Sequence, residues 1–389
     1  MQQSSAQSSS LLGNGAFSED MGNDPDSYQF PTGLWARAIA TLDPGYFAWV
    51  MASGIVSIGA QLLGYPTLST VVLYVTEAAF ALLCIAYIAR LVLYPSWVRR
   101  SLRDPAVAMA YFTVVAGTDV LATRLLMAGH PLVTLILGAG AALVWIALTY
   151  GLPSFIVASA KSPVLRELNG TWFIWVVGTQ SLAIVAAGLA PTTVVRGAAD
   201  AFIEAAVCLW GVGVILYILI VVVIFIRLML VEVTPAEMGP AYWIAMGATA
   251  ISTRAAAGIL VLHGRYVFQV VDDLRPFLAG MTFILWAFGS WWIPLLVLFG
   301  IWRYVVRDYS RSYEPRLWSM VFPLGMYTVA CYSFGKATNM DFLVDISRVW
   351  IWVGVLAWVA VLVMMVAAGL LALSKAHRPS QDSQAVVSR

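Results

Sequence analysis

From residue 44 to residue 373 the chain alternates long apolar stretches with short polar connections. Ten of these stretches reach the roughly 20 residues that a helix needs to cross the hydrocarbon core of a bilayer. They run over 44–64, 70–94, 106–128, 131–158, 169–190, 202–230, 241–263, 276–302, 317–335 and 343–373. Connections this short make sequence neighbours antiparallel hairpins. The pattern therefore predicts an all-α membrane protein with ten transmembrane helices over 44–373 and little chain left for a soluble domain.

The flanks are different. Residues 1–43 open on MQQSSAQSSS and carry acids without the basic n-region of a secretory signal. They are expected to form a disordered N-terminal tail. Its last segment, LWARAIATL (34–42), reads either as an amphipathic helix lying at the membrane interface or as a plain linker. Residues 374–389 read as a second polar tail.

Composition agrees with the membrane assignment: 61% of residues are hydrophobic, 11% are charged and mean hydropathy is +0.85. Charge placement adds orientation. Of the 22 lysines and arginines, Arg124, Arg196, Arg265, Arg275 and Lys336 fall on one side. Arg254 and Arg348 fall inside spans, and the remaining 15 fall on the side of both termini. Basic loops stay cytoplasmic, so both termini are expected in the cytoplasm, with the protein multi-pass in the cell (inner or plasma) membrane. Trp97, Trp172, Trp302 and Trp318 near span ends fit interfacial anchoring.

Cys84, Cys208 and Cys331 lie inside apolar spans with no metal-ligand or redox spacing and read as small core residues. His130, His263 and His377 lie at span ends or in the tail, which leaves no axial haem ligand inside the bundle. HExxH, GxSxG and paired histidines are absent from the sequence. No metal, cofactor, nucleic-acid partner or enzyme activity is expected.

The odd-numbered spans share a feature. Each has a glycine near its middle and a second about three turns later: Gly54/Gly64, Gly117/Gly129, Gly178/Gly188, Gly247/Gly258 and Gly325/Gly335. Glycine permits close helix packing or kinking, so five hairpins with odd helices around a common axis is one reading, and chance in a glycine-rich chain is the other. The odd spans also carry Ser53, Ser57, Thr118, Thr179, Gln180, Ser181, Thr253 and Tyr327. Such groups either line a path for an anion and replace part of its hydration shell, or bond helix to helix.

Five charges inside spans matter most. Arg254 stands near the centre of YWIAMGATAISTRAAAGILVL (242–262). A charge at bilayer depth costs at least about 3 kcal/mol and usually faces a bundle interior or a water-filled path. It reads as a cationic element of an anion path, as half of an ion pair with Asp119 or Glu204, or as a lipid-facing snorkel. Asp119 is the one good deep carboxylate for a proton site. Arg124 lies late enough in its span to snorkel outward. Asp345 and Arg348 have the i,i+3 spacing of a structural pair.

Five segments on odd spans resemble the tellurite-resistance/C4-dicarboxylate transporter family, which includes the plant guard-cell slow anion channels. They are PGYFAWVMASG (44–54), VAGTDVLATRLL (115–126), NGTWFIWVVGTQSLAIVAA (169–187), YWIAMGATAIS (242–252) and WSMVFPLGMYTVA (318–330), in the family's order. WAFGSWWIPLL (286–296) is similar to the bacterial branch, and the resemblance covers about 44–373. It implies five hairpins, an inner ring of odd helices around one pore per subunit, and a homotrimer. It also implies a gate at Phe322, where a ring across a narrow pore blocks it by sterics and dewetting. Pro323 would bend the helix at that level. Against this stands ordinary packing of a phenylalanine in a membrane helix. Arg254 departs from the family pattern, which is small and apolar there.

The resulting expectation is passage of small anions through a phenylalanine-gated pore. The candidate substrates are C4-dicarboxylates such as malate, or chloride, nitrate, sulfite or tellurite. Arg254, Thr253, Ser53, Thr118, Gln180 and Tyr327 are candidate path residues. Gly54, Gly117, Gly178, Gly247, Gly325 and Pro323 are kink or packing positions. The alternative is a proton-coupled C4-dicarboxylate carrier with Asp119 as its proton site.

Overall fold

The computed structural model describes residues 31, 33–159, 164–193, 195–262 and 270–376. The stretch before residue 31, the tail beyond Ala376, and His263 and His377 lie outside the described residues. Ten helices are long and apolar enough to cross a membrane: α1 (Pro44–Leu62), α2 (Pro66–Leu93), α3 (Pro105–Met127), α4 (Pro131–Ala158), α5 (Gly170–Thr192), α6 (Gly197–Leu230), α7 (Pro240–Leu260), α8 (Asp272–Val306), α9 (Pro315–Thr338) and α10 (Asp341–Ser374). Helices α8 and α10 begin earlier than their apolar stretches. Asp272, Asp273 and Asp341 in their first turns suit the positive end of the helix dipole, so the ladder extends past the point where hydropathy stops.

Odd and even helices differ in role. In the odd helices 72–89% of the apolar window is buried, against 17–39% in the even ones. Helix α1 packs on α3, α3 on α5, α5 on α7, α7 on α9, and α9 back on α1. Each odd helix also packs on the even helix that follows it. The even helices turn rows of Leu, Ile and Val outward, among them Leu82, Ile136, Ile215, Ile284 and Leu356. An exterior this apolar is stable only against lipid or protein.

Every odd helix opens the same way. A 3-10 turn precedes its α-helical part: Pro44–Phe47, Met109–Tyr111, Gly170–Trp172, Pro240–Trp243 and Pro315–Leu317. Three of these turns start on proline, whose missing N–H costs nothing at a helix start. Buried arginines at the ends of even helices reach these turns. Arg90 of α2 donates to Tyr111 Oη at 3.2 Å and to Ala40 O at 3.2 Å. Arg227 of α6 donates to Tyr242 Oη at 3.2 Å and pairs with Glu237 at 3.4 Å. Arg303 of α8 pairs with Glu314 at 2.9 Å, one residue before the α9 turn. Charge counting assigns these residues only to a side of the membrane. The structure uses them as ties between neighbouring helices.

The mid-helix glycines sit where odd helices approach. A Cβ on Gly54 would come within 2.6 Å of Val120 on α3, and one on Gly325 within 2.8 Å of Ile55 on α1. Gly247 leaves room for the Pro323 ring of α9, with 2.8 Å to Pro323 Cγ. Gly117 faces Phe47, and Gly178 faces Phe112. The second glycines serve other ends. Gly64 and Gly129 adopt positive φ (81° and 87°) in the turns after α1 and α3, a conformation that side chains disfavour.

Three further expectations meet the structure here. Residues Leu34–Ala40 are helical, with Trp35 exposed and Ala40 buried under Arg90. Trp318 is fully buried, stacked 6.1 Å from Trp49, and so is a core residue rather than an interfacial anchor. Cys331 is buried, but Cys208 is exposed on α6.

Candidate functional site

One small cavity lies between the five odd helices. Its lining takes two residues, three apart, from every one of them: Ile55 and Ile58 of α1, Val120 and Thr123 of α3, Ser181 and Ile184 of α5, Ile251 and Arg254 of α7, and Met326 and Val329 of α9. Asp119 of α3 completes it. Residues three apart share a helix face one turn along, so each helix shows the cavity the same face over one turn. The space open to a water-sized centre is about 20 Å³, enough for one water. The polar groups all come from α3, α5 and α7, while α9 and α1 supply only Ile, Met and Val.

Asp119 is fully buried. Ser181 Oγ donates to its Oδ2 at 2.7 Å, across the α3–α5 contact. Its Oδ1 is buried with no hydrogen-bond partner. A buried polar atom left without a partner is costly, so this oxygen marks a place for a water or a ligand. Arg254 approaches from α7. A Cβ on Gly258 would lie 3.0 Å from Arg254 Nη1, so the absent side chain of Gly258 makes room for the guanidinium. No salt bridge among the described residues joins Arg254 to Asp119 or to Glu204, and Glu204 is exposed on α6. The ion pair that sequence left open is not formed.

Of the six residues proposed for an anion path, Arg254 alone lines this cavity. Ser53 accepts from Trp358 Nε1 of α10 at 2.9 Å. Gln180 donates to Trp210 O of α6 at 3.1 Å. Tyr327 Oη shares a 2.7 Å hydrogen bond with Ser290 Oγ of α8. These three face even helices. Thr118 and Thr253 bond back to their own helix, at Val114 O and Thr249 O. Sequence reasoning passed over Thr123. The signal for it was the three-residue spacing, which begins within four residues of each mid-helix glycine.

Phe322 is 1% exposed and does not line the cavity. It lies four residues before Met326, on the same face of α9 and about 6 Å nearer the helix start. It therefore stands under the cavity, on the side where all odd helices begin.

Arg124 also departs from expectation. It does not snorkel. Its Nε donates to Ser57 Oγ at 3.0 Å, and its Nη2 to Ser69 Oγ at 2.9 Å and Gln61 Oε1 at 3.4 Å. Ser57 and Ser69 also exchange bonds with each other's carbonyls, at 2.7 and 2.8 Å. The guanidinium thus knots α1, α2 and α3 together, and three side-chain oxygens that accept from it outweigh a reach to the interface. The Asp345–Arg348 pair forms as its spacing predicts, at 2.7 Å.

The family model for voltage-dependent anion channels matches residues 41–366. The chain belongs to the voltage-dependent anion channel family. Relatives of this family member include an uncharacterized membrane protein of Mycobacterium tuberculosis, 39% identical over 39% of the chain and 75% of the relative. An uncharacterized transporter of Methanocaldococcus jannaschii is 22% identical over 84% of the chain and 94% of the relative. A sulfite efflux pump of Arthroderma otae is 27% identical over 78% and 84%. As a family member the chain is a multi-pass membrane protein of a group of anion channels and transporters, and its matched region spans nine of the ten helices in full and most of α10.

Proposed function

We propose that this protein passes small anions across the membrane through the bundle of odd helices, and that the bundle is closed in this structure. The observation that carries the reading is the cavity with Arg254 on its wall and no carboxylate among the described residues paired to it. An unpaired guanidinium inside a membrane bundle attracts an anion. Five hairpins with the cavity on their axis would form one pore in each subunit of a homotrimer, with termini in the cytoplasm and the pore domain over 44–373. The candidate substrates are small inorganic anions or C4-dicarboxylates such as malate. The fungal relatives named as sulfite efflux pumps support sulfite among them, beside chloride, nitrate and tellurite.

Phe322 is the proposed barrier, since it fills the face of α9 immediately below the cavity. Truncating it to alanine removes the ring and opens the bundle at that level. In proteoliposomes Phe322→Ala should raise chloride efflux by about tenfold or more. Efflux equal to that of the wild type would end the gate assignment.

A second reading has its own observation, the buried Oδ1 of Asp119 on the cavity wall. A proton-coupled carrier would use that carboxyl as its proton site. A channel passes current that reverses at the anion's equilibrium potential, whereas a carrier ties anion uptake to the pH gradient. Bilayer recording with and without a pH gradient separates the two.

A further inference from the structure

We infer that Asp119 is a specificity residue: its free Oδ1 shares a hydrogen bond, with one proton between the two oxygens, with an oxyanion held by Arg254. The site would then prefer oxyanions of weak acids over nitrate and halides. The inference rests on the anion-passage reading above and adds to it a substrate class.

Asp119 and Arg254 line the same cavity, yet no salt bridge joins them, so their charged atoms stand more than 4.0 Å apart. Ser181 fixes Oδ2 at 2.7 Å and so sets the orientation of the carboxyl group, leaving Oδ1 buried and unpartnered. No other described group lining the cavity bonds it. Helix α1 presents Ile55 and Ile58, α7 presents Ile251 beside Arg254, and α9 presents Met326 and Val329. On α3 itself Thr123 lies one turn on, and Arg124 is engaged with Ser57, Ser69 and Gln61 on the far side.

A bare carboxylate beside an anion repels it. A carboxyl group on the wall of an anion site is compatible with binding when a proton lies between it and the anion. An O–H···O⁻ bond of this kind is short and about twice as strong as a neutral one. It needs a basic oxygen on the anion. Hydrogencarbonate and hydrogensulfite carry such an oxygen, nitrate oxygens are far weaker bases, and chloride has no oxygen. Arg254 would hold the anion's remaining oxygens as donor. The same bond is made whether the proton arrives with the anion or waits on Asp119.

Nitrate and hydrogencarbonate make a matched pair of probes. Both are planar monoanions with four heavy atoms, and they differ in basicity and in the hydroxyl. Chloride efflux from proteoliposomes of the full chain is measured at fixed pH, with either competitor equal on both sides. In the wild type hydrogencarbonate should half-inhibit at about a tenfold lower concentration than nitrate. Asp119→Asn keeps the oxygen that accepts from Ser181 and replaces Oδ1 by an amide donor, which bonds either anion, so the ratio should fall to about one. Asp119→Leu should do the same where it folds. A ratio that is unchanged in Asp119→Asn, or a wild type that prefers nitrate, overturns the inference while leaving anion passage intact. Absence of protein-dependent chloride efflux in both the wild type and Phe322→Ala would instead remove the proposed function, and this inference with it.

Discussion

Arg124 and Arg254 present the same residue type, both inside odd helices, both without a carboxylate within 4.0 Å among the described residues, and they do opposite things. Arg124 spends its donors on Ser57, Ser69 and Gln61 and joins three helices. Arg254 has only the cavity and the room left by Gly258, with no hydrogen bond to a described side chain. Side-chain hydrogen-bond partners, rather than charge, separate a structural cation from one available to a ligand. A guanidinium whose Nε and Nη2 are held by three side chains is fixed in place by the protein. One without such partners, held at bilayer depth, is stabilised by whatever anion reaches it.

Substituting each arginine by leucine breaks the comparison most sharply. Arg124→Leu orphans the Ser57–Ser69 cluster and removes a tie between α1, α2 and α3. Loss of several charge-assisted hydrogen bonds in a buried setting costs about 3–5 kcal/mol, which thermal unfolding in detergent would register as a large drop in midpoint. Arg254→Leu removes an unpaired charge from an apolar wall, so its midpoint should stay level or rise. Its anion flux should fall by about tenfold or more. Equal losses of stability in the two variants would erase the distinction, as would full flux in Arg254→Leu.

Much of the fold was legible because the membrane imposes it. A helix must be apolar over about 20 residues to cross, so ten spans could be read directly, whereas the mid-helix glycines fitted close packing or chance equally until the odd-helix contacts were seen. The site was legible only in part. Arg254 stands out since charge is expensive in such a stretch, and Phe322 follows from a family resemblance. The hydroxyl and amide groups were misplaced for a physical reason. Ser and Thr can bond back to their own helix, and amides can cross to a neighbour, so composition does not reveal which way they face. Ser53, Gln180 and Tyr327 turn to even helices, while Thr118 and Thr253 turn to their own carbonyls. The face that does meet the cavity is mostly Ile, Val and Met, which in a membrane sequence has no contrast with its surroundings.

A middle-sized effect tests the ring that brings the two arginines' helices together. Gly54→Ala puts a methyl group 2.6 Å from Val120 Cγ1, and Val120 lines the cavity. Overpacking of this kind costs about 1–3 kcal/mol. It should lower the unfolding midpoint less than Arg124→Leu does, and because it moves α1 against α3 at cavity height it should also change anion flux. Gly140→Ala on α4, where nothing lies within 4 Å of the added carbon, is the control and should leave both quantities as they are.

Arg348 supplies the smallest effect and the limiting case. It too lies within a predicted span, yet it pairs with Asp345 at 2.7 Å, and the two side chains are 65% and 66% exposed. Exposed ion pairs contribute little, because water already solvates both charges and ordering two long side chains opposes the gain. Arg348→Gln should therefore shift stability by less than about 0.5 kcal/mol and leave anion flux unchanged. A flux loss comparable to that of Arg254→Leu would mean that an exposed, paired arginine also serves the anion, and that the number of unsatisfied donors is not what singles out Arg254. An unchanged flux leaves these three arginines in three states, hydrogen-bonded, ion-paired and free, with transport depending on the free one alone.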